Sequence, residues 1–246
     1  MMRNKTQFEK EWQNTFSESA ESHNLDYQIS IWSEAGLECY LTYFFEYLNP
    51  HLKRGNGGNF LLDIGCGPGT FSRVMAQKGF NVYGVDYSAA MIRKAKEKSN
   101  GYSINYRVGE IYHLPYKNNS FDMVICLGVF QHLEKPTEAI WELKRVMKDE
   151  GLLVIHTLNT FSLYRLFLWK DNALKRYNPF QFKRLLQNEE FHKISLKGIY
   201  LFPKPFYFLT QIIKRLHLYK FFNILFYPIF FPLSHSFYVE AREVKE

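Results

Sequence analysis

A glycine-rich turn beside an acid is the first part of this sequence that could bind a ligand. The segment LLDIGCGPGT follows a short apolar stretch and contains Asp63, Gly65, Gly67 and Gly69. Glycines at such a turn can adopt positive φ, which lets the backbone approach a ligand closely. A dinucleotide fingerprint would have a further Gly where Thr70 stands, and the acid suits an ammonium or sulfonium group better than a pyrophosphate. A tight turn with a purely structural role is the alternative.

A second carboxylate ends the next predicted strand. Asp86 closes the segment NVYGVD, 21 residues after Gly65. A carboxylate at this point can accept hydrogen bonds from both hydroxyls of a ribose. The alternative is an N-cap for the following helix, a role open to Asp86 or Ser88. Taken together, the two motifs favour the ribose role.

Two further predicted strands end in candidate ligand contacts. Glu110 follows the third strand, where its side chain can reach the exocyclic amine of an adenine. Ile111 can offer its backbone N–H to a ring nitrogen. The fourth strand, FDMVICLG, brings Leu127 to the same edge of the sheet.

Histidines supply the candidate general bases. His132 lies just past the fourth strand and could take a proton from a phenol, an enol or another hydroxyl. A histidine that only packs or caps is the alternative. His156 and His113 are further candidates for the base.

The elements that position these residues alternate between strand and helix. Five strands between Phe60 and residue 158 alternate with helical segments, which predicts an α/β fold with a parallel sheet covered on both faces. Ligands of such sheets bind at the carboxyl ends of the strands, near the point where the strand order reverses. Outside this region the pattern predicts helices at 5–20, 33–48 and 179–189, a sixth strand, and a last strand within 234–244.

The order of these motifs resembles that of a known family. LDIGCGPG, GVDYS, GExxxLPYxxxSFDxVIC and HLExPxxAIxELxRVxKxxGLLVI follow one another over residues 58–158. This arrangement resembles the class I S-adenosylmethionine-dependent methyltransferases, most closely the branch that includes the ubiquinone and menaquinone biosynthesis methyltransferases. The resemblance implies a Rossmann-like fold with a seven-stranded, mostly parallel sheet, an antiparallel last strand and N-terminal helices. It also implies S-adenosylmethionine as cofactor and methyl transfer as activity.

The resemblance also implies roles for individual residues. The three glycines would pass under the methionine part of the cofactor, and Asp63 would orient that part through the turn or through a water. Asp86 would hold the ribose, and Leu127 would lie near the sulfonium. The complete set that the resemblance assigns to the cofactor is Asp63, Gly65, Cys66, Gly67, Gly69, Asp86, Tyr87, Met91, Glu110, Ile111 and Leu127.

The chain is expected to divide into two parts. Residues 1–57 would form an N-terminal helical cap, and residues 58–246 the methyltransferase domain, with an insert at 202–232 that contains a helix at 205–226. Residues 1–190 carry 23 Lys and Arg against 21 Asp and Glu, whereas residues 191–246 carry 8 against 3. The basic, aromatic insert is therefore interpreted as an apolar substrate cap or as a surface for anionic membranes or lipid-linked substrate. Prolines and polar residues within it argue against a spanning helix.

Composition and missing motifs exclude several classes. Three widely spaced cysteines, Cys39, Cys66 and Cys126, form no zinc ribbon or disulfide framework, and no His/Asp cluster has metal-ligand spacing. The polar N-terminus shows no secretory signal, so a cytoplasmic location is expected, with peripheral contact at the inner membrane face as a variant. The residues after the fourth strand, LGVF, lack the motif of enzymes that methylate flipped bases. Nucleic acid is therefore not the expected partner, and the oligomeric state stays open.

The sequence leaves the methyl acceptor open. The leading hypothesis is O-methylation of a small hydrophobic or lipid-linked acceptor, such as a quinol, a glycolipid or a sugar. The alternatives are a non-catalytic cofactor-binding partner protein, an RNA methyltransferase and a dehydrogenase. Large aromatic residues that could line the acceptor pocket, or simply pack in the core, are Trp12, Phe16, Tyr27, Trp32 and Tyr164.

Overall fold

The computed structural model describes most of the chain. Its described residues are 6–30, 34–52, 58–162, 174–199, 212, 215, 216 and 234–243. The predicted insert at 202–232 falls almost wholly outside them, as do Trp32 and Tyr164.

Seven strands form one sheet in the described part of the chain. Their order is β3-β2-β1-β4-β5-β7-β6, and β7 runs antiparallel to both of its neighbours while the other strands are parallel. The predicted Rossmann-like, mostly parallel sheet with an antiparallel last strand is therefore confirmed. The strands are β1 Phe60–Ile64, β2 Asn81–Asp86, β3 Ile104–Val108, β4 Phe121–Leu127, β5 Met147–Leu158, β6 Phe191–Ile199 and β7 Ser236–Glu243.

Helices cover both faces of this sheet, as the strand–helix alternation requires. One core cluster joins the strands to α6 and α7, and another joins the opposite strand faces to α3 and α4. Among the described residues, none of the helices is long and apolar enough to cross a membrane. The helices are α1 Gln7–Ser22, α2 Asp26–Ile29, α3 Glu34–Leu52, α4 Thr70–Gln77, α5 Ala89–Lys98, α6 Pro136–Val146 and α7 Pro179–Asn188, with a 3-10 helix at Phe130–His132.

The helix boundaries differ from the sequence expectations for local reasons. The first helix starts at Gln7 because Thr6 caps it. The Thr6 side chain accepts from the backbone N–H of Glu9, and the Glu9 side chain accepts from the backbone N–H of Thr6. Helix α2 was not predicted, since four residues are too few to show a helical period. Strand β5 begins at Met147, four residues before the glycine at which the sequence pattern starts it.

The strand order fixes where a ligand can bind. From β1 the chain winds outward through β2 to β3, whereas from β4 it winds the other way to β5. The crevice between β1 and β4 is therefore the topological switch point, and it opens at the carboxyl ends of these strands. The glycine turn follows β1 directly, and the 3-10 helix follows β4.

Helix α3 packs deeply onto the sheet. Phe44 is fully buried and meets Phe71 of α4 and Tyr238 of β7, with ring centroids 4.9 and 6.3 Å away. The N-terminal segment thus contributes to the same core as the strands. The division of the chain at residue 57 stays a prediction.

The burial of Phe44 gives a test of this packing. Phe44→Ala is expected to lower the free energy of unfolding by ~3–5 kcal/mol, because it removes a buried ring and leaves a cavity. Phe45→Ala, one position away and only partly buried, is the matched control and should cost clearly less. Equal losses for both variants in urea unfolding would contradict the described packing of α3.

Candidate active site

A cavity of about 250 Å³ lies at the switch point. The carboxyl ends of β1, β2 and β4 form its floor, and α1 borders it on another side. Pockets that bind small ligands commonly have such a concave, largely apolar form. Ten of the predicted site residues line it: Gly65, Cys66, Gly67, Asp86, Tyr87, Met91, Glu110, Ile111, Leu127 and His132.

The glycine turn is held to the neighbouring strand. The backbone N–H groups of Gly65 and Cys66 both donate to the carbonyl of Val85, at 2.7 and 3.1 Å. Gly65 has φ +67°, and a Cβ built on it would overlap with Cγ2 of Val129. The turn therefore needs glycine there both for its conformation and for the close approach of the loop after β4.

Gly69 has a different role in the structure. It precedes α4 with φ +80° and does not line the cavity. A Cβ on it would overlap with the hydroxyl of Tyr106. Gly69 thus permits close packing behind the turn.

Asp86 lies at the junction of the turn and the cavity. Its Oδ2 accepts from the N–H of Gly67 at 3.0 Å, and its Oδ1 accepts from the N–H of Ser88 at 2.9 Å. Burial raises the pKa of Asp86 to about 6, against the opposing effect of these backbone donors. The N-cap of α5 is Ser88, which accepts from the N–H of Met91. The Asp86 carboxylate is therefore left on the cavity wall.

Asp63 lies behind the turn, away from the cavity lining. Its carboxylate is buried and accepts from the hydroxyl of Ser72 on α4 at 2.5 Å. Burial, and secondarily the charge of Asp86, raises the pKa of Asp63 to about 7. Asp63 joins β1 to α4 and so helps to hold the turn between them.

The loop after β3 borders the other end of the cavity. The N–H of Gly109 donates to the backbone carbonyl of Asp86 at 3.0 Å, which brings Glu110 and Ile111 beside that residue. Cys66 also lines the cavity, and burial raises the pKa of its thiol, which therefore stays protonated at neutral pH.

His132 ends the 3-10 helix and lines the cavity. Burial lowers the pKa of its imidazole to about 4, so the ring is neutral at neutral pH. Its Nδ1 is buried and has no hydrogen-bond partner among the described residues. The other two candidate bases lie elsewhere: His113 is exposed, and His156 is buried between Tyr40 and Tyr238.

Helix α1 contributes three residues to the cavity lining. Trp12 and Phe16, two of the aromatic candidates for the acceptor pocket, line the cavity, and Glu9, which the sequence patterns did not assign, lines it on the same helix face. Tyr27 does not line it. The spacing of residues 9, 12 and 16 is the helical period that could have indicated this face. Other lining residues absent from the predicted set include Ser30, Tyr112 and Gln131.

Polar contacts dock the N-terminal helices. Gln13 Nε2 donates to the backbone carbonyl of Tyr87 at 3.1 Å, and the hydroxyls of Ser17 and Ser88 lie 2.9 Å apart. On α2, Asp26 pairs with Arg73 of α4 and with Lys98 of α5. These contacts tie α1 and α2 to the elements around the glycine turn.

Among the described residues, no group of three or more His, Cys, Asp and Glu side chains is arranged to hold a metal ion.

Comparison with known proteins agrees with this geometry. A methyltransferase domain family matches residues 62–155. An uncharacterized protein of Methanocaldococcus jannaschii is 31% identical over 172 residues, which are 69% of each chain. The ubiquinone biosynthesis O-methyltransferase of Rickettsia canadensis is 38% identical over 101 residues, 40% of this chain, and the match spans only 42% of that relative's length. A phosphoethanolamine N-methyltransferase 2 of Haemonchus contortus, solved with S-adenosyl-L-methionine, aligns with TM-score 0.62 at 18% identity over 94% of this chain and 60% of its own.

The sheet order, the glycine turn at the switch point and the matching methyltransferase domain family agree on one class. The chain belongs to the class I S-adenosylmethionine-dependent methyltransferases. The predicted family and its cofactor, S-adenosylmethionine, are confirmed.

The close approach at Gly65 gives a test of the turn. Gly65→Ala is expected to lower the free energy of unfolding by ~2 kcal/mol or more, because it adds a steric overlap with Val129 to the strain of positive φ. Gly101→Ala is the matched control: its φ is +88°, but its Cβ would meet open space, so only the strain applies. Combining Gly65→Ala with Val129→Ala should recover part of the loss. Equal destabilisation by Gly65→Ala and Gly101→Ala in urea unfolding would refute the close approach.

Proposed function

We propose that this protein transfers the methyl group of S-adenosylmethionine to a hydroxyl oxygen of a small hydrophobic acceptor, with a lipid-linked phenol such as a quinol as the leading class. The observation that carries the proposal is a neutral histidine, His132, on the wall of a largely apolar cavity that also contains the Asp86 carboxylate. A hydroxyl acceptor loses a proton during methylation, and a neutral imidazole can take it. The names of the ubiquinone biosynthesis relatives support the same acceptor class.

The residues around the cavity fit the cofactor. Gly65 and Gly67 both have positive φ and offer bare backbone to the cavity, and they would lie beneath the methionine part. Asp86 would accept from the ribose hydroxyls with the lone pairs that its backbone donors leave free. Glu110 and Ile111 would recognise the adenine, with Tyr87 and Met91 packed on it, while Leu127 and Cys66 would lie along the sulfur side. Asp63 and Gly69 would act indirectly, through the shape of the turn.

For this reaction the protein has to align the acceptor with the cofactor and to remove one proton. When bound, the cofactor supplies a methyl group already activated on a cationic sulfur. The enclosed walls of the cavity would exclude water and hold the acceptor oxygen in line with that methyl group. A base with a pKa near 4 does not ionise a phenol in the ground state. His132 would therefore take the proton late, as the oxygen forms its bond to carbon and becomes acidic.

The buried position of Nδ1 decides which ring nitrogen of His132 takes the proton. Since Nδ1 is inaccessible in the described structure, Nε2 would be the atom that takes the proton from the hydroxyl of the methyl acceptor. The proton would then pass to solvent when product leaves.

The remaining parts of the proposal concern the whole chain. Residues 1–57 would cap the cavity, and the insert at 202–232 would hold the apolar tail of a lipid-linked acceptor at the inner face of the membrane. The composition of the insert, aromatic and basic, supports this. A glycolipid or sugar acceptor would use the same base.

Methyl transfer to a defined probe tests the function. Purified protein would be incubated with methyl-labelled S-adenosylmethionine and a catechol that carries one prenyl group, and product would be identified by mass spectrometry. A single methyl ether is expected, and the same prenylated ring without hydroxyls is the negative control. A glycolipid and its free sugar would be run in parallel. Methyl transfer to carbon, or no transfer to any of these acceptors by protein that binds S-adenosylhomocysteine, would contradict the hydroxyl-acceptor proposal.

The raised pKa of Asp86 predicts a pH dependence of cofactor binding. Below pH 6 the carboxyl of the free protein becomes protonated and loses acceptor capacity. The affinity for S-adenosylhomocysteine should therefore be constant above about pH 7 and fall, by up to about tenfold per pH unit, as pH drops below 6. Asp86→Asn should bind about 10–100-fold more weakly at pH 8, because it loses charge-assisted hydrogen bonds.

Calorimetric titration at pH 5 and pH 8 provides the measurement. Asp63→Asn is the control, since its buried carboxyl also titrates in this range but does not line the cavity. The fall below pH 6 should persist in Asp63→Asn and vanish in Asp86→Asn. Wild-type affinity in Asp86→Asn would overturn the ribose role.

The lowered pKa of His132 predicts the pH profile of turnover. With cofactor saturating, kcat is expected to stay flat from pH 5 to pH 8, because the ring is already neutral throughout this range. His132→Ala should lower kcat by about 10²–10⁴-fold. His113→Ala, an exposed histidine outside the cavity, should leave kcat unchanged. A fall in kcat toward the acid end of this range that disappears in His113→Ala would assign the base to that residue instead.

A further inference from the structure

We infer that Trp12 and Phe16 of α1 are positioning residues for His132, holding its imidazole with Nδ1 turned into the protein and Nε2 left for the acceptor. This inference rests on the proposed role of His132 as the base. It assigns to the N-terminal helix a part in the chemistry beyond covering the cavity.

The backbone that carries His132 is fixed independently of α1. Phe130 is fully buried against Phe182, with ring centroids 5.3 Å apart, and its carbonyl accepts from the hydroxyl of Tyr177 at 3.0 Å. The carbonyl of Gln131 accepts from the N–H of Lys175 at 3.0 Å. These contacts fix the position of the His132 Cα but leave the rotation of its ring undetermined.

The aromatic residues of α1 restrict that rotation. Trp12 and Phe16 are four residues apart on one helix face, and both meet the imidazole edge to face. The ring centroids lie 4.4 and 5.3 Å away, at interplanar angles of 63° and 83°. The two residues also contact each other, at 5.8 Å. The imidazole is thus bounded by two mutually supporting rings.

The environment of Nδ1 explains why these rings matter. A histidine base is usually oriented by a carboxylate or carbonyl that accepts from its second nitrogen. Nδ1 of His132 is buried and has no such partner within the described part of the chain. An N–H directed at an aromatic face is a weak but real hydrogen bond, and it is the kind of stabilisation that an edge-to-face contact allows. The rings would therefore favour the tautomer with hydrogen on Nδ1, which leaves the Nε2 lone pair open.

Charged groups near the ring are few in the described structure. The elements packed here carry Glu9 on α1, Tyr112 in the loop after β3, and Lys175 before α7. Glu9 accepts from the hydroxyl of Tyr112 at 2.9 Å, and the ammonium of Lys175 lies over the ring of Phe8. The lowered pKa of His132 is attributed to burial alone, which agrees with enclosure by apolar rings.

Nitrogen-15 NMR of the histidine rings tests the inference without any acceptor. In the full-length protein labelled at histidine, the His132 resonances would be assigned by their loss in His132→Gln. Wild type should show a neutral ring with hydrogen on Nδ1 from pH 5 to pH 8. Trp12→Ala should shift the population toward the commoner tautomer with hydrogen on Nε2 and raise the titration midpoint of the ring by about 1–2 pH units, since water then reaches it. Trp12→Phe should retain the wild-type state.

The control is Trp141→Ala, which removes an exposed tryptophan on α6 and should change nothing at His132. Circular dichroism of each variant verifies the fold, and Phe16→Leu is the second variant if Trp12→Ala unfolds. Hydrogen on Nε2 in the wild type, or a tautomer and midpoint unchanged in Trp12→Ala, would overturn the inference.

Turnover of the prenylated catechol separates this inference from the proposed function. Trp12→Ala should lower kcat by about 10–100-fold in the wild-type background but less than about twofold in the His132→Ala background, because residues that act through one group are not additive. Equal losses in both backgrounds would mean that Trp12 acts independently of His132. Full activity of His132→Ala would instead remove the proposed base itself.

Discussion

The site depends on a buried carboxylate that accepts hydrogen bonds from the backbone. Asp86 receives the N–H of Gly67 from the glycine turn and the N–H of Ser88 from the start of α5. Hydrogen bonds to a charged acceptor contribute about 1.5–3 kcal/mol each, and burial strengthens them while penalising the bare charge. This carboxylate therefore joins the loops after β1 and β2 and keeps a partly satisfied acid on the cavity wall. The hydrogen bonds of Asp86 are compatible with three other features: the positive φ of the turn glycines, the close approach of Val129 and the position of α5.

A second constraint is the enclosure of the cavity by α1. A reaction between an activated methyl group and a hydroxyl gains from a dry site with the reacting atoms aligned. Trp12 and Phe16 supply apolar surface there, and Gln13 and Ser17 fasten the same helix to Tyr87 and Ser88. Helix α1, whose aromatic side chains pack against the proposed base, is thus attached to residues next to Asp86. Cofactor and acceptor would then share a wall, which is the arrangement a direct methyl transfer needs.

Local sequence signals predicted the sheet and the positions of the main motifs well. The strand that ends at Asp86 and the turn after Ile64 lie where alternation and glycine spacing predicted them, because both signals are local. The direction of Asp63 could not be read in this way: the motif gives its place on β1, but its contact with Ser72 depends on how α4 packs. Helix α2 is shorter than any recognisable period. The encounter of Trp12 with His132 joins positions 120 residues apart, and only the folded chain brings them together.

The most direct test of the account is the distance between the transferable methyl group and His132. Protein would be saturated with S-adenosylmethionine labelled with carbon-13 at the methyl group, and isotope-filtered nuclear Overhauser contacts would be measured. The account predicts contacts from that methyl group to the side chain of Leu127 and to the ring of His132. Contacts only to residues beside the proposed adenine position, such as Tyr87 and Met91, with none to Leu127 or His132, would contradict it.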